Sequence, residues 1–203
     1  MPAASSGRTL GRAYFARTAP EVAPDLLNTV LVVGGCAVRI VETEAYTQDD
    51  PASHSFRGPT VRNASMFGPP GHLYVYFTYG MHWCANVVCG PTGSGEAVLL
   101  RAGEPLWGIE EMRRRRTAKH PQLRDRDLAN GPAKLSSALG LARDFDGRDL
   151  CDRQIRLRII EDPTNVSLAP VCTSRIGISV AIDRQWRWAV PDSPWVSRRP
   201  GSI

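Results

Sequence analysis

The run VLVVGGCAVRIVETEAY, residues 30–46, sets the architecture. Two β-branched, apolar stretches, 30–33 and 36–46, flank Gly34-Gly35, a pair that turns a chain back on itself at little steric cost, so the sequence predicts a β-hairpin. Side chains alternate along a strand, so in the second arm Glu42, Glu44 and Tyr46 share one face, while Val41, Thr43 and Ala45 share the other. Two carboxylates and a tyrosine on one strand face suit either a solvated sheet surface or the wall of a cleft. The downstream residues favour the cleft, because the arm runs into a long loop carrying His54 and then a tyrosine-rich strand at 73–79.

Further elements extend the sheet. Residues 83–88 return from a tight turn at Gly80-Met81, residues 97–101 (Ala-Val-Leu-Leu-Arg) form another strand, and 155–160 and 176–181 read as later ones. Thr18-Ala-Pro-Glu21 is a capping-box pattern opening a short helix to about Leu27. Residues 105–116 suit a helix whose four arginines complement its negative end. Residues 131–140 begin Gly-Pro and end in Gly, the signature of another short helix. Residues 47–72 lack periodicity and are rich in turn formers; a loop of that length in a compact chain is usually functional or disordered, and its His54, Arg57, Arg62, Asn63 and Phe67 argue against simple disorder. Strands dominate with no βαβ rhythm, so the expected class is α+β: one mixed domain around an antiparallel sheet with peripheral helices. Residues 1–17, small, polar and basic, are expected to fray, leaving 18–203 as the domain.

Composition narrows the function. The 203 residues carry a net charge of +5, and only Lys119 and Lys134 are lysines, so the positive charge is almost all arginine. A sequence pI of about 9.2 favours an anionic partner, and guanidinium groups neutralise phosphates well. The Ala, Gly and Pro content equally suits a GC-rich coding bias. Five cysteines with no Cys-x-x-Cys pair, no signal-peptide pattern and no membrane-length apolar run lead us to expect a cytoplasmic protein with reduced thiols. The spacing of His82, Cys84 and Cys89 fits no familiar zinc pattern, so no metal and no cofactor are expected.

Arg101 closes an apolar strand and needs a carboxylate if it is buried; Glu42 or Glu44 can supply one. Tyr46, His54 and Tyr76 together can sandwich a flat heteroaromatic ring, cationic rings especially. Beside an arginine-rich surface, that pocket suits a nucleic-acid base taken out of its stack. The turn Tyr79-Gly80-Met81-His82 puts bulky side chains where they can wedge into a minor groove. Asn86, opposite in face to Trp83, can read a base edge or satisfy backbone groups.

At these residues the chain resembles the alkyladenine (3-methyladenine) DNA glycosylases of the mammalian type. The matching runs are RIVETEAY (39–46), SHS (53–55), MFGPPGHLYVYFTYGMHWCANV (66–87), AVLLRAGEP (97–105), NGPAKL (130–135), RIGIS (175–179) and SPWVS (193–197), in order over most of the chain. The resemblance implies a curved antiparallel sheet with a protruding hairpin and a DNA-repair enzyme that flips and excises alkylated or deaminated purines. It implies Glu44 as the carboxylate that activates water, with Arg101 assisting. Tyr46, His54, Tyr76, Asn86 and Leu99 would contact the base, and Tyr79 and Met81 would intercalate. Arg57, Arg62 and Lys134 are candidates for the DNA backbone. The chain departs from the family pattern at Ser53, His82 and Ala85. With so few lysines, a monofunctional glycosylase without lyase chemistry is expected, acting as a monomer on double-stranded DNA. The competing reading is a non-catalytic binder of distorted DNA.

Overall fold

A computed structural model describes residues 7–78, 80–117, 122–162 and 169–199. The hairpin opens the sheet as the sequence predicts: β1 (Val30–Val33) pairs antiparallel with β2 (Cys36–Tyr46). β3 (Leu73–Thr78), β4 (His82–Cys89) and β5 (Glu96–Trp107) come next, then β6 (Leu157–Ile160), β7 (Val171–Thr173) and β8 (Arg187–Ala189). The curved antiparallel sheet runs β3-β4-β5-β2-β1-β6. Along one edge β2 pairs first with β1, at Cys36–Arg39, and further on with β8, at Glu42–Glu44. β4 meets β5 only through Asn86–Cys89, so the far end of the β3–β4 hairpin projects beyond the sheet.

Helices cover one face. α1 (Arg12–Phe15), α2 (Ala19–Asp25), α3 (Ile109–Thr117) and α4 (Pro132–Leu139) bring Phe15, Val22, Leu26, Met112, Leu135 and Leu139 against Val38, Ile40, Val98 and Leu100 of the sheet. The Thr18–Glu21 capping box is formed at α2, and Gly140 ends α4 in the left-handed conformation.

The strand alternation changes phase inside β2. Val38 and Ile40 face the helices, and so do Thr43, whose hydroxyl donates to Ala23 O of α2 (2.8 Å), and Ala45. Even positions give way to odd ones because a bulge lies between Ile40 and Thr43, where Ile40 pairs with Gly103 and Glu42 with Ala102. β5 slips in step: Leu100 faces the core, Ala102 lies on the far side with Val41, and Gly103 returns to the core side. A Cβ at Gly103 would stand 2.7 Å from Val38 Cγ2, which keeps that position glycine. Arg101 sits at the irregularity, and bulges re-aim side chains in this way.

Four expectations change. β5 continues to Trp107 instead of yielding to a helix at 105, because among the described residues the edge of β5 beyond Leu99 carries no strand and Pro105 needs no donor there. Gly108, at φ +73, makes the break, and α3 starts only at Ile109. Residues 176–181 are not a strand but an irregular loop, Ala181 having a positive φ; β7 and β8 flank it instead. Residues 7–17 do not fray: Leu10 N donates to Ile159 O, and Phe15 is wholly buried in the core.

Candidate active site

The far face of the sheet, away from α2, carries a cavity of about 360 Å³ lined by Tyr46, His54, Tyr74, Tyr76, Asn86, Leu99 and Arg101, among others. β2, β3, β4 and β5 each contribute, and residues 176–178 close one side. That size is in the usual range for a small-molecule pocket.

Glu44 stands immediately behind this wall. It is 0% exposed, and its partners are themselves cavity-lining groups. Ile176 N–H donates to Oε1 (2.7 Å), while the Tyr46 hydroxyl (2.8 Å) and Arg101 Nη1 (3.0 Å) donate to Oε2. Burial pushes its carboxyl above the ordinary glutamate value, and Arg101, the Ile176 amide and the Tyr46 hydroxyl pull it back only in part. Burial and the Glu44 charge raise the Tyr46 phenol, so that hydroxyl stays protonated and donating.

Arg101 is shared. Its Nε donates to Glu42 Oε1 (3.0 Å), so the guanidinium spans both acids of β2. Glu42, also 0% exposed, further accepts Arg187 Nε (2.7 Å) and the amide and hydroxyl of Ser197 (2.5 and 2.7 Å). Burial pushes the Glu42 carboxyl up, but the two guanidiniums and the Ser197 amide outweigh it and hold it below the ordinary value.

The aromatic wall is built on β3. Tyr74 and Tyr76, two residues apart and so on one face, stack at 5.3 Å between centroids with 27° between planes. His54 stands edge-on to Tyr76 at 4.6 Å, its Nδ1 3.0 Å from the Tyr74 hydroxyl. Desolvation among these rings, with the Arg62 charge added, lowers the His54 pKa. Burial lifts the Tyr74 phenol to about 12.

The structure thus brings Glu44, Arg101, Tyr46, His54, Tyr76, Asn86 and Leu99 to one place. Asn86 Nδ2 donates to Tyr74 O (3.0 Å), so its amide also braces β3. Arg57 and Arg62 are exposed beside a neighbouring depression that shares His54 and Tyr74; Arg62 Nη2 donates to Phe77 O (2.9 Å). Lys134 Nζ donates to Asn130 Oδ1 (2.8 Å) at the start of α4 instead of standing free. Met81 is 62% exposed on the projecting hairpin. Tyr79 lies outside the described residues.

Sequence reasoning missed five contributing residues. Tyr74 was signalled by its two-residue spacing from Tyr76. Cys84 lines the cavity from β4, opposite Tyr76 in the ladder. The Ile176 amide carries no side-chain signature, and Arg175 with Asp50, a buried ion pair beneath Tyr46, gives no local pattern at all. Among the described residues no cluster of three or more His, Cys, Asp or Glu side chains could hold a metal ion.

A buried carboxylate supported by a cation, behind a cavity walled with stacked aromatic rings, is an arrangement that can hold a planar group close to an acid. Comparison with known proteins supplies the class. The methylpurine-DNA glycosylase family model matches residues 13–194. A protein of Burkholderia lata is 53% identical over 94% of this chain and 92% of its own length. One of Granulibacter bethesdensis is 47% identical over 97% and 90%, and one of Rhizobium meliloti 46% over 92% and 95%. Each carries the name "Putative 3-methyladenine DNA glycosylase". The chain belongs to the methylpurine-DNA glycosylase family and is a DNA glycosylase, a hydrolase of N-glycosidic bonds in damaged DNA.

Proposed function

We propose that this enzyme excises alkylated and deaminated purines (3-methyladenine, 7-methylguanine, hypoxanthine and ethenoadenine) from duplex DNA after flipping the nucleotide into the aromatic cavity, and leaves an abasic site. The observation that carries this reading is that all three groups holding Glu44 also line that cavity. A purine between Tyr46 on one side and His54 and Tyr76 on the other would bring its sugar towards the acid. Ring stacking favours cationic bases, and alkylation at N3 or N7 makes a purine cationic and a ready leaving group.

Cleavage builds oxocarbenium character on the sugar, as in other glycoside hydrolyses. Ionised Glu44 stabilises that charge and takes a proton from the attacking water. A water needs a place on the carboxylate, and the three donors are not equally movable. Arg101 is fixed by Glu42, and the Ile176 amide by its backbone, whereas the Tyr46 O–H can turn away about its own C–O bond while the ring stays in place. Water therefore takes the place of the Tyr46 hydroxyl on Oε2, next to Arg101. Asn86 and Leu99, deep in the cavity wall, select against bulk on the base edge, and Met81 at the hairpin tip fills the space the nucleotide vacates. Among the described residues no lysine lines the cavity, and the Lys134 ammonium is engaged by Asn130, which supports simple hydrolysis over a Schiff-base lyase step.

Duplexes carrying each of the four lesions test the reading. Wild-type enzyme should release the base, and Glu44→Gln should lose at least about 100-fold in rate while still binding abasic DNA. Unchanged release in Glu44→Gln would remove Glu44 from the mechanism. Binding without release by the wild type would favour a non-catalytic reader of distorted DNA, and equal processing of a matched RNA duplex would point to RNA.

A further inference from the structure

Arg175 and Asp50 form an ion pair whose side chains are both 0% exposed, yet neither lines the cavity. Such a pair costs much in desolvation and adds little stability beyond what apolar packing would give, so its geometry asks for another role. Both terminal nitrogens of Arg175 grip the Asp50 carboxylate, and Nη1 also donates to Ala45 O of β2 (3.0 Å). The guanidinium carbon lies 4.6 Å from the centroid of the Tyr46 ring, behind the face that looks into the cavity. Trp186 flanks the same guanidinium at 5.5 Å.

Three parts of the site meet at this pair. On the Asp50 side, the carboxylate accepts Ala52 N–H (3.1 Å) and the Asp50 carbonyl accepts Ser53 N–H (2.8 Å), which shapes the loop that carries His54. On the Arg175 side, the next residue supplies the amide on Glu44 Oε1, and residues 176–178 line the cavity. Between them lies the Tyr46 ring. Among the described residues the loop at 176–181 has no strand partner, so its start is held to β2 by the Arg175 bond to Ala45 O and the Ile176 amide on Glu44, and the bidentate grip on Asp50 fixes the guanidinium that makes the first.

We infer that the Asp50–Arg175 pair is the positioning device of the excision site, seating the stacking ring of Tyr46 and the Ile176 amide on Glu44 while touching neither base nor water. This rests on the reading of Glu44 as the acting carboxylate. A planar, bidentate fork is needed for it; a lysine would supply charge but not the geometry.

Two substitutions in the full chain test the inference, Arg175→Lys and the near-isosteric Asp50→Asn. The first readout is the titration of Glu44 by 13C NMR of carboxyl-labelled glutamate, its resonance assigned by its absence in Glu44→Gln. Besides Arg175, the charged or titratable groups facing Glu44 are Arg101 of β5, Glu42 and Tyr46 of β2, and Tyr76 of β3. Charge alone predicts that removing the Asp50 anion makes Glu44 more acidic. Loosening the Ile176 amide predicts the opposite, and we expect the Glu44 pKa to rise by about one unit in both variants. The second readout is single-turnover release of 7-methylguanine, whose maximal rate should fall at least about 10-fold while affinity for undamaged duplex stays within about 3-fold. A lowered or unmoved Glu44 pKa in Asp50→Asn, or a full release rate with only a lower melting temperature, would overturn the inference. If the wild type releases no base, the proposed function fails, but the titration still decides whether the pair seats the amide.

Discussion

Glu42 and Glu44 sit two residues apart on β2, both wholly buried and both bonded to Arg101, yet their surroundings push them in opposite directions. Around Glu42 a second guanidinium and Ser197 complete an enclosed, fully paired cluster, and its carboxyl is held below the ordinary value. Around Glu44 the remaining donors are an amide and a phenol, both neutral and both part of the cavity wall, and its carboxyl lies above the ordinary value. One acid ties Arg101, Arg187 and the segment at Ser197 together. The other is kept undercompensated, close to the cavity. Environments that drive two like groups apart are how one fold separates a structural from a chemical role.

The largest effect should come from breaking the structural side. Glu42→Ala leaves Arg101 and Arg187 buried without their shared acceptor, and removal of one partner of a buried pair costs about 3–5 kcal/mol. Chemical denaturation should show a loss of that size at neutral pH, against a much smaller one for Glu44→Gln, which keeps its size and can still accept hydrogen bonds. The pH dependence carries the sign: because the folded Glu42 value is depressed, its contribution is present above the ordinary carboxylate value and vanishes as pH falls through the folded one. Equal losses in the two variants would erase the distinction.

How far this contrast could be read from the sequence depends on which interactions are local. The β1–β2 hairpin, the capping box of α2 and the Pro132–Gly140 bounds of α4 rest on neighbouring residues, and each forms as expected. The shared face of Glu42, Glu44 and Tyr46 was also legible, as was the nearness of Arg101. The phase change before them was not, although adjacent Ile40 and Val41 break the alternation and mark where the bulge falls. Arg187, Ser197, Arg175 and the Ile176 amide reach β2 from well over a hundred residues away, through segments without periodicity, so no local pattern could place them. Residues 176–181 look like a strand because they alternate with apolar side chains, but Ile176 and Ile178 turn those side chains to the cavity wall.

A smaller effect sharpens the chemical side. If ionised Glu44 is the base, the acid limb of kcat/KM for 7-methylguanine release should lie above the ordinary glutamate value of 4.5, because burial raises the carboxyl in the free enzyme. Activity is lost as pH falls through that raised value, whereas a carboxylate with the character of Glu42 would stay charged to lower pH. An acid limb at or below 4.5 would show that the acting group is not the one with the raised pKa.

The smallest effect concerns Tyr46→Phe. The ring stays to stack, and only the hydroxyl bonded to Glu44 Oε2 is lost. In the free enzyme that removes a donor to the carboxylate, so the acid limb of kcat/KM should move upward. In the reacting complex the water already occupies that place on Oε2, so kcat at neutral pH should stay within about 3-fold of the wild type and its own acid limb should not move. The two profiles therefore separate a hydroxyl that only guards the resting acid from one that takes part in cleavage. A tenfold drop in kcat with both limbs shifted together would mean that the hydroxyl remains on Glu44 during bond breaking, and the water would then need another of the three positions.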